Sequence, residues 1–214
     1  MRNRKPNVAR PVGVAIVEAS SASRRWMAGG VCAAALMCAV ALTAGAQQTR
    51  VTLDPATTQI HFTLAATLHT VHGTFKLKSG QMQWDPATGH ATGSIVIDAT
   101  SGNTDNPSRD KNMHNQVLES AKFPEITFTP SQIKGAFNRE GSSQLEVAGI
   151  VRIHGQDHDQ TLKLAVQQAA AGTVETATQF LIPYVKWGIK DPSTFLLHVA
   201  DTVDVEIQAT ASIQ

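Results

Sequence analysis

Cysteine is nearly absent from this 214-residue chain, and both cysteines, Cys32 and Cys38, lie close to its amino terminus. The rest of the chain therefore offers no disulfide framework, no thiol nucleophile and no thiolate metal ligand. Charged residues are also sparse, at 16%. The sequence contains no motif of a serine hydrolase, a zinc protease helix or a phosphate-binding loop. No residue set predicts a catalytic mechanism, so we expect a protein that is not an enzyme and needs no cofactor.

The first 46 residues have the pattern of a secretory signal. Basic residues occur from Arg2 to Arg25, and an uncharged stretch rich in Ala, Val, Leu and Met follows over residues 26–46. The stretch ends in Ala44-Gly45-Ala46, a small-residue pattern that signal peptidase accepts. A permanent membrane anchor is the alternative, because about 20 uncharged residues can just span a bilayer. We predict a signal peptide over residues 1–46, export to the periplasm, and a mature domain over 47–214 without stable membrane insertion.

Cleavage would reverse the sign of the net charge. The leader holds six of the 18 basic residues and one of the 17 acidic residues. The mature domain keeps 12 basic and 16 acidic residues, a net charge of −4. A mildly acidic domain binds nucleic acid poorly and is not attracted to anionic lipid headgroups. The sequence therefore predicts no nucleic-acid partner.

Apolar and polar residues alternate through most of the mature chain. Clear runs are Ile60–Leu64, Leu145–Ile153 and Val203–Ile207. This alternation predicts strands with one apolar and one solvated face. Turn residues separate the runs and predict turns at residues 78–80, 85–89, 139–141 and 154–157. Eight to ten strands joined mostly by hairpins are typical of an antiparallel barrel or sandwich.

Residues 107–119 break this alternation. Asn106 followed by Pro107 is typical of a helix N-cap with proline at the first helical position. Met113, Val117 and Leu118 then fall at helical spacing, and Pro124 ends any helix before the next strand. The pattern predicts one short helix inserted between strands, lying across a barrel mouth or flank.

All eight histidines lie after residue 46, which raises the question of a metal site in the mature domain. His69 and His72 would point to opposite faces of a strand, so they bind one ion only if a turn brings them together. Histidines on solvated strand faces explain the pattern more simply, and we predict no metal site. Arg109 and His114 in the inserted segment have two interpretations: a local tie between insert and barrel, or polar groups at a ligand entrance.

Short segments in a fixed order resemble the YceI-like family of periplasmic proteins over nearly the whole mature chain. The segments are Leu53-Asp54-Pro55 with Ile60-His61-Phe62, Val71–Phe75, Ile95–Asp98, Arg109-Asp110, Phe123–Phe128 and Val147–Gly155. The chain departs from the family pattern in the insert, where the histidine comes only at position 114. It departs again near the hairpin, where Arg152 and Gln156-Asp157 replace small hydroxyl residues.

The resemblance implies an all-β fold, an antiparallel lipocalin-like β-barrel of about eight strands with one short inserted helix. It also implies a binding protein that holds an isoprenoid-type lipid, a polyisoprenoid or quinone-like amphiphile, for transport or sequestration. Binding of another apolar molecule, or a metal-linked stress-response protein or enzyme, remains as an alternative, and exposed barrel edges would allow a homodimer. The residues predicted to contact the ligand are Phe62, Phe75, Ile97, Phe128, Val147, Leu164, Val205, Arg109 and His114.

Overall fold

The computed structural model describes residues 48–195 and 197–214, so the predicted signal peptide lies outside the described residues. Nearly all regular structure is β-strand. The strands are β1 (Thr49–Leu53), β2 (Gln59–Ala65), β3 (Thr70–Trp84), β4 (Ala91–Asn103), β5 (Glu125–Lys134), β6 (Ser142–Ile153), β7 (Gln156–Ala170), β8 (Thr173–Ile182) and β9 (Val203–Ile213). A helix, α1 (Pro107–Asn112), and a π-helical turn, Met113–Val117, lie between β4 and β5.

The first two strands share one position in the barrel wall. Each pairs antiparallel with β3 on one side and with β9 on the other. A turn separates them, in which the Asp54 carboxylate accepts a hydrogen bond from the Ala56 N–H at 2.9 Å. From β3 to β9 every strand pairs antiparallel with the next, which closes the sheet. The prediction of a closed antiparallel barrel of about eight strands is confirmed.

The alternation in the sequence matches the burial of the strands. In β6 the side chains of Leu145, Val147, Val151 and Ile153 are buried, while those between them are mostly exposed. Because successive side chains on a strand point to opposite faces, the buried set faces the barrel interior. The apolar phase of each run therefore identifies the residues that surround the interior.

The turn predicted at residues 78–80 is wrong. These residues lie inside β3, where the register with β4 shifts between Leu77 and Ser79. A Cβ atom on Gly80 would lie 2.7 Å from the Leu53 side chain, so glycine permits a close approach of β1 to β3. A strand irregularity and a close contact use the same residue types as a turn, which explains the error.

The insert begins as the sequence predicts and ends earlier. The Asn106 side-chain oxygen accepts hydrogen bonds from the N–H groups of Ser108 and Arg109, both at 3.1 Å, and Pro107 opens the helix. The helical geometry stops at Val117, and Glu119 has a left-handed φ of 45°. The predicted single helix over 107–119 is thus a helix and a π-turn. Across residues 48–195 and 197–214, no helix has the length and apolar character needed to span a lipid bilayer.

Candidate binding site: two cavities inside the barrel

Side chains do not fill the barrel interior. A cavity of about 320 Å³, here called the upper cavity, lies between the strands, the insert and the segment that joins β8 to β9. Its wall is almost wholly aliphatic and aromatic, with Phe62, Phe75, Phe128 and Phe180 contributed by four different strands. Such a space accepts apolar matter, because burial of apolar surface is favourable and few polar groups need partners.

A second, smaller cavity of about 120 Å³, here called the lower cavity, adjoins the upper one. It lies toward β1 and the start of β8, and Val51, Trp84 and Val174 are among its lining residues. Six apolar side chains line both cavities and form their common wall: Ile60, Ile95, Ile97, Phe128, Leu162 and Ile207. An elongated ligand that used both spaces would have to pass these six side chains.

The structure places eight of the nine predicted ligand residues on these cavities. Phe62, Phe75, Val205 and Arg109 line the upper cavity. Val147 and Leu164 line the lower cavity, and Ile97 and Phe128 line both. His114 lines neither, so its contact with a ligand stays a prediction.

Two glycines on the inner face make room for two of these aromatic rings. Gly73 lies opposite Phe62 in the β2–β3 pair. A Cβ atom there would overlap the Phe62 ring and would lie 2.8 Å from the backbone oxygen of Asn103. A Cβ atom on Gly149 in β6 would likewise overlap the Phe128 ring, and it would also overlap the backbone oxygen of Thr129. Each ring lies across a strand because its neighbour lacks a side chain.

Gly73→Ala is expected to weaken ligand binding more than it weakens the fold. The Phe62 ring borders the upper cavity and can turn into it, at the expense of ligand volume. Gly149→Ala is the matched variant, in which the added methyl group approaches the Thr129 backbone oxygen more closely than a methyl group at Gly73 approaches the Asn103 oxygen. It should therefore cost more stability, about 1–3 kcal/mol for overpacking. Chemical unfolding and lipid titration of both variants measure the difference. Equal losses of stability would contradict this role of Phe62.

Hydrogen bonds tie the insert to the end of β4. The Asp110 carboxylate accepts from the Thr104 N–H at 2.9 Å and from its hydroxyl at 2.6 Å. The Arg109 Nε donates to the Thr104 hydroxyl and its Nη2 to the Thr104 carbonyl oxygen, both at 2.8 Å. Arg109 and Asp110 thus both bind the buried Thr104. Of the two charged residues, only Arg109 lines the upper cavity. Arg109 therefore ties the insert to the barrel and also lines the upper cavity, and its place at a ligand entrance stays a prediction.

Asp110→Ala is expected to destabilise the protein by about 1–3 kcal/mol, because the buried Thr104 N–H loses its acceptor. Lys111→Ala, at an exposed neighbour on α1, serves as the control and should change stability little. Urea unfolding measures both, and hydrogen exchange should show faster exchange in the insert of the Asp110 variant alone. An unchanged unfolding midpoint would contradict the tie.

His114 fixes the other end of the insert. Its Nε2 lies 2.9 Å from the Gly102 carbonyl oxygen, and its Nδ1 lies 2.9 Å from the Ser120 hydroxyl. Since a carbonyl only accepts, Nε2 carries a proton that it donates, and Nδ1 can accept from the serine. Both ring nitrogens are therefore occupied within the protein, which favours the structural interpretation of His114.

The segment between β8 and β9 completes the upper cavity, and sequence reasoning missed its extent. Tyr184, Ile189, Leu197 and Val199 from this segment line the cavity. The Tyr184 hydroxyl donates to the Ala200 carbonyl oxygen at 2.8 Å. Burial, with smaller effects of two nearby aspartates, raises the pKa of Tyr184 to about 12, so the hydroxyl remains a donor at neutral pH. The segment lacks alternation because it is not a strand, so the period-two pattern could not indicate its burial.

Titratable residues form no metal site in the described part of the chain. Over residues 48–195 and 197–214, no group of three or more His, Cys, Asp and Glu side chains is arranged to hold an ion. His154 contacts the Glu119 carboxylate at 2.7 Å, and Arg152 contacts the Asp157 carboxylate at 2.6 Å beside the same hairpin. These residues form local pairs at the barrel end.

Comparison with known proteins gives one family. The model of the YceI-like domain matches residues 51–211. No curated protein sequence matches the chain.

Several solved structures share the fold at low sequence identity. A polyisoprenoid-binding domain from Saccharophagus degradans, implicated in plant cell wall breakdown, is 17% identical with a TM-score of 0.58, covering 77% of this chain and 98% of its own. BcnA from Burkholderia cenocepacia is 19% identical with a TM-score of 0.60, covering 74% and 98%. The YceI protein of Campylobacter jejuni is 20% identical with a TM-score of 0.56, covering 68% and 86%. These matches support the barrel fold.

Proposed function

Because the chain belongs to the YceI-like family, we propose that it is a binding protein that holds an isoprenoid-type lipid inside its barrel for transport or sequestration. The observation that carries the proposal is the upper cavity, an apolar space of about 320 Å³ inside the barrel. One structural relative is described as a polyisoprenoid-binding domain, which indicates the class of ligand. A branched hydrocarbon chain is apolar, as the wall of this cavity is.

The expected energy of binding is sufficient for a carrier. Each buried methylene contributes about 0.8 kcal/mol. About ten of them give roughly 8 kcal/mol, which corresponds to a micromolar dissociation constant before ordering costs. An isoprenoid chain needs few polar contacts, so a site without a charged motif is sufficient to hold it.

The ligand contacts follow from the position of each residue. Phe62, Phe75 and Val205 would contact the chain in the upper cavity, and Ile97 and Phe128 would contact it at the common wall. Val147 and Leu164 would contact whatever part reaches the lower cavity. Arg109 would face the part of the ligand nearest the insert, while His114 would act by holding the insert in place.

Export to the periplasm is part of the proposal. It rests on the basic, apolar and small-residue succession over residues 1–46. The intact mass of the protein recovered from the periplasm should correspond to a chain that begins at Gln47. A full-length chain that stays in the inner membrane would contradict export with cleavage.

Solvent extraction of the purified protein, followed by mass spectrometry, tests the ligand class. We expect an isoprenoid lipid in the extract, at an amount comparable to the protein. A fatty acid or amide instead would support the alternative of a module for another apolar molecule. Metal analysis of the same sample addresses the metal-linked alternative, and a stoichiometric metal without lipid would contradict the carrier.

A further inference from the structure

Buried polar atoms without partners are concentrated at the lower cavity. Five buried side-chain polar atoms in the described residues have no hydrogen-bond partner. Three of them, the Nε1 of Trp84 and the hydroxyls of Thr176 and Thr178, belong to residues that line the lower cavity. A buried donor or hydroxyl without a partner costs about 1–3 kcal/mol, so this clustering requires an explanation.

The cross-strand neighbours of the two threonines supply no acceptor side chain. Both lie on the inward phase of β8, where Thr176 is opposite Val166 and Ala209, and Thr178 is opposite Leu164 and Ile207. All four neighbours are apolar. Valine has nearly the same shape as threonine and would fill these positions without an unsatisfied hydroxyl, if packing were the only requirement.

Trp84 contributes a third donor at the same cavity. Trp84 is only 6% exposed, and its ring packs edge-on against Phe137 with ring centroids 5.9 Å apart. An indole N–H only donates, whereas a hydroxyl can rotate to donate or accept. Trp84 lies nine residues along β3 from Phe75, which is in register with Thr178 through Ile60 and Ile207. The indole N–H therefore lies at a different level of the cavity. The hydroxyls of Thr176 and Thr178, two residues apart on one face of β8, are the pair that can donate to one acceptor oxygen.

The absence of charged residues around the lower cavity indicates which kind of acceptor it can hold. No charged residue lines the lower cavity, and its other residues are almost all apolar. A phosphate or carboxylate placed there would lose its hydration without a compensating cation. An uncharged oxygen, such as a carbonyl, ether or hydroxyl, does not bear that cost.

We propose that the lower cavity is a pocket for an uncharged, hydrogen-bond-accepting oxygen at the inner end of the bound lipid. The ligand would be an oxygen-bearing amphiphile held with that oxygen innermost, beyond the common wall, and with its hydrocarbon part in the upper cavity. This inference rests on the proposed function, since it assigns the orientation and polar group of the same ligand. Thr176 and Thr178 would be the residues that select it.

Squalene and squalene epoxide form a matched pair of probes, because they share one isoprenoid skeleton and differ by a single terminal ether oxygen. Binding of each to the full chain is measured by titration, with wild type compared to the Thr176→Val, Thr178→Val double variant. We expect wild type to bind the epoxide roughly three- to tenfold more tightly, the range of one net hydrogen bond. The double variant should bind both probes equally. Thr161→Val, the same change on the exposed face of β7, should keep the preference.

Thermal unfolding of the ligand-free protein provides a second measurement. The double variant should unfold at a higher temperature than wild type, because two unsatisfied hydroxyls are replaced by methyl groups. A lower unfolding temperature would show that the hydroxyls already have partners, such as a trapped water, and would overturn the inference. Equal binding of both probes to wild type would also overturn it while leaving the proposed function intact. Failure of wild type to bind either probe would instead count against the proposed function.

Discussion

Leu162→Lys is expected to abolish lipid binding and to destabilise the barrel by roughly 3–5 kcal/mol, the range for an uncompensated buried charge. Leu162 is 8% exposed and lines both cavities, so the ammonium group would lie at the middle of the barrel. No acidic side chain lines either cavity to pair with it. The lysine would lose its hydration and occupy the space that an apolar chain needs.

The matched control is Thr161→Lys, one residue earlier on β7 and on the exposed outer face. It adds the same charge to the same strand and should leave both stability and lipid content unchanged. Leu162→Gln, which is polar and uncharged, preserves the test if the lysine variant does not fold. Lipid co-purification and urea unfolding are the two measurements. A folded Leu162 variant that retains its lipid would contradict an interior binding site.

Phe128→Ala is expected to lower lipid content sharply while costing less stability than a phenylalanine in a filled core. Truncating a packed phenylalanine costs about 3–5 kcal/mol, because the cavity it leaves loses packing contacts. Phe128 already borders the upper and the lower cavity, so part of its surface contacts empty space. Its removal would join the two cavities and take away a contact surface for the ligand.

Ile133→Ala is the control for a filled position. Ile133 is 4% exposed and lines neither cavity, so its truncation should show the full cost of about 2–5 kcal/mol. Chemical unfolding of the ligand-free variants compares the two losses, and mass spectrometry of extracts compares their lipid. If Phe128→Ala lost about 3–5 kcal/mol of stability and kept its lipid, Phe128 would be a packed core residue and not a ligand contact.

The strands and their inner faces are readable in the sequence because period-two alternation is a local property. Phe62 and Val205 fall on apolar phases that are separated by more than a hundred residues in the chain, and they are opposite one another in the β2–β9 pair. Hairpin connections between successive strands are typical of a barrel or a sandwich. The closed barrel was implied by the resemblance to the YceI-like family. The N-cap at Asn106 was also predictable, since capping depends on neighbouring residues alone.

Other features depend on distant contacts and were not readable. Residues 78–80 have the composition of a turn, but pairing of Ser79 and Gly80 with β4 makes them part of a strand. The segment after β8 has no periodicity, so its contribution to the upper cavity emerges only in three dimensions. The division of the interior into two cavities depends on how six side chains from different strands meet. Alternation identifies inward residues but cannot show whether they fill the space between them.

A crystal structure of the protein purified with its own lipid tests interior binding most directly. Continuous electron density for an apolar chain should lie in the upper cavity, in contact with Phe62, Phe75 and Val205 and reaching the common wall at Phe128. Density for the lipid on the outer surface of the barrel, or an interior closed by rearranged side chains with no lipid in it, would contradict the proposal that this barrel is a lipid-binding chamber.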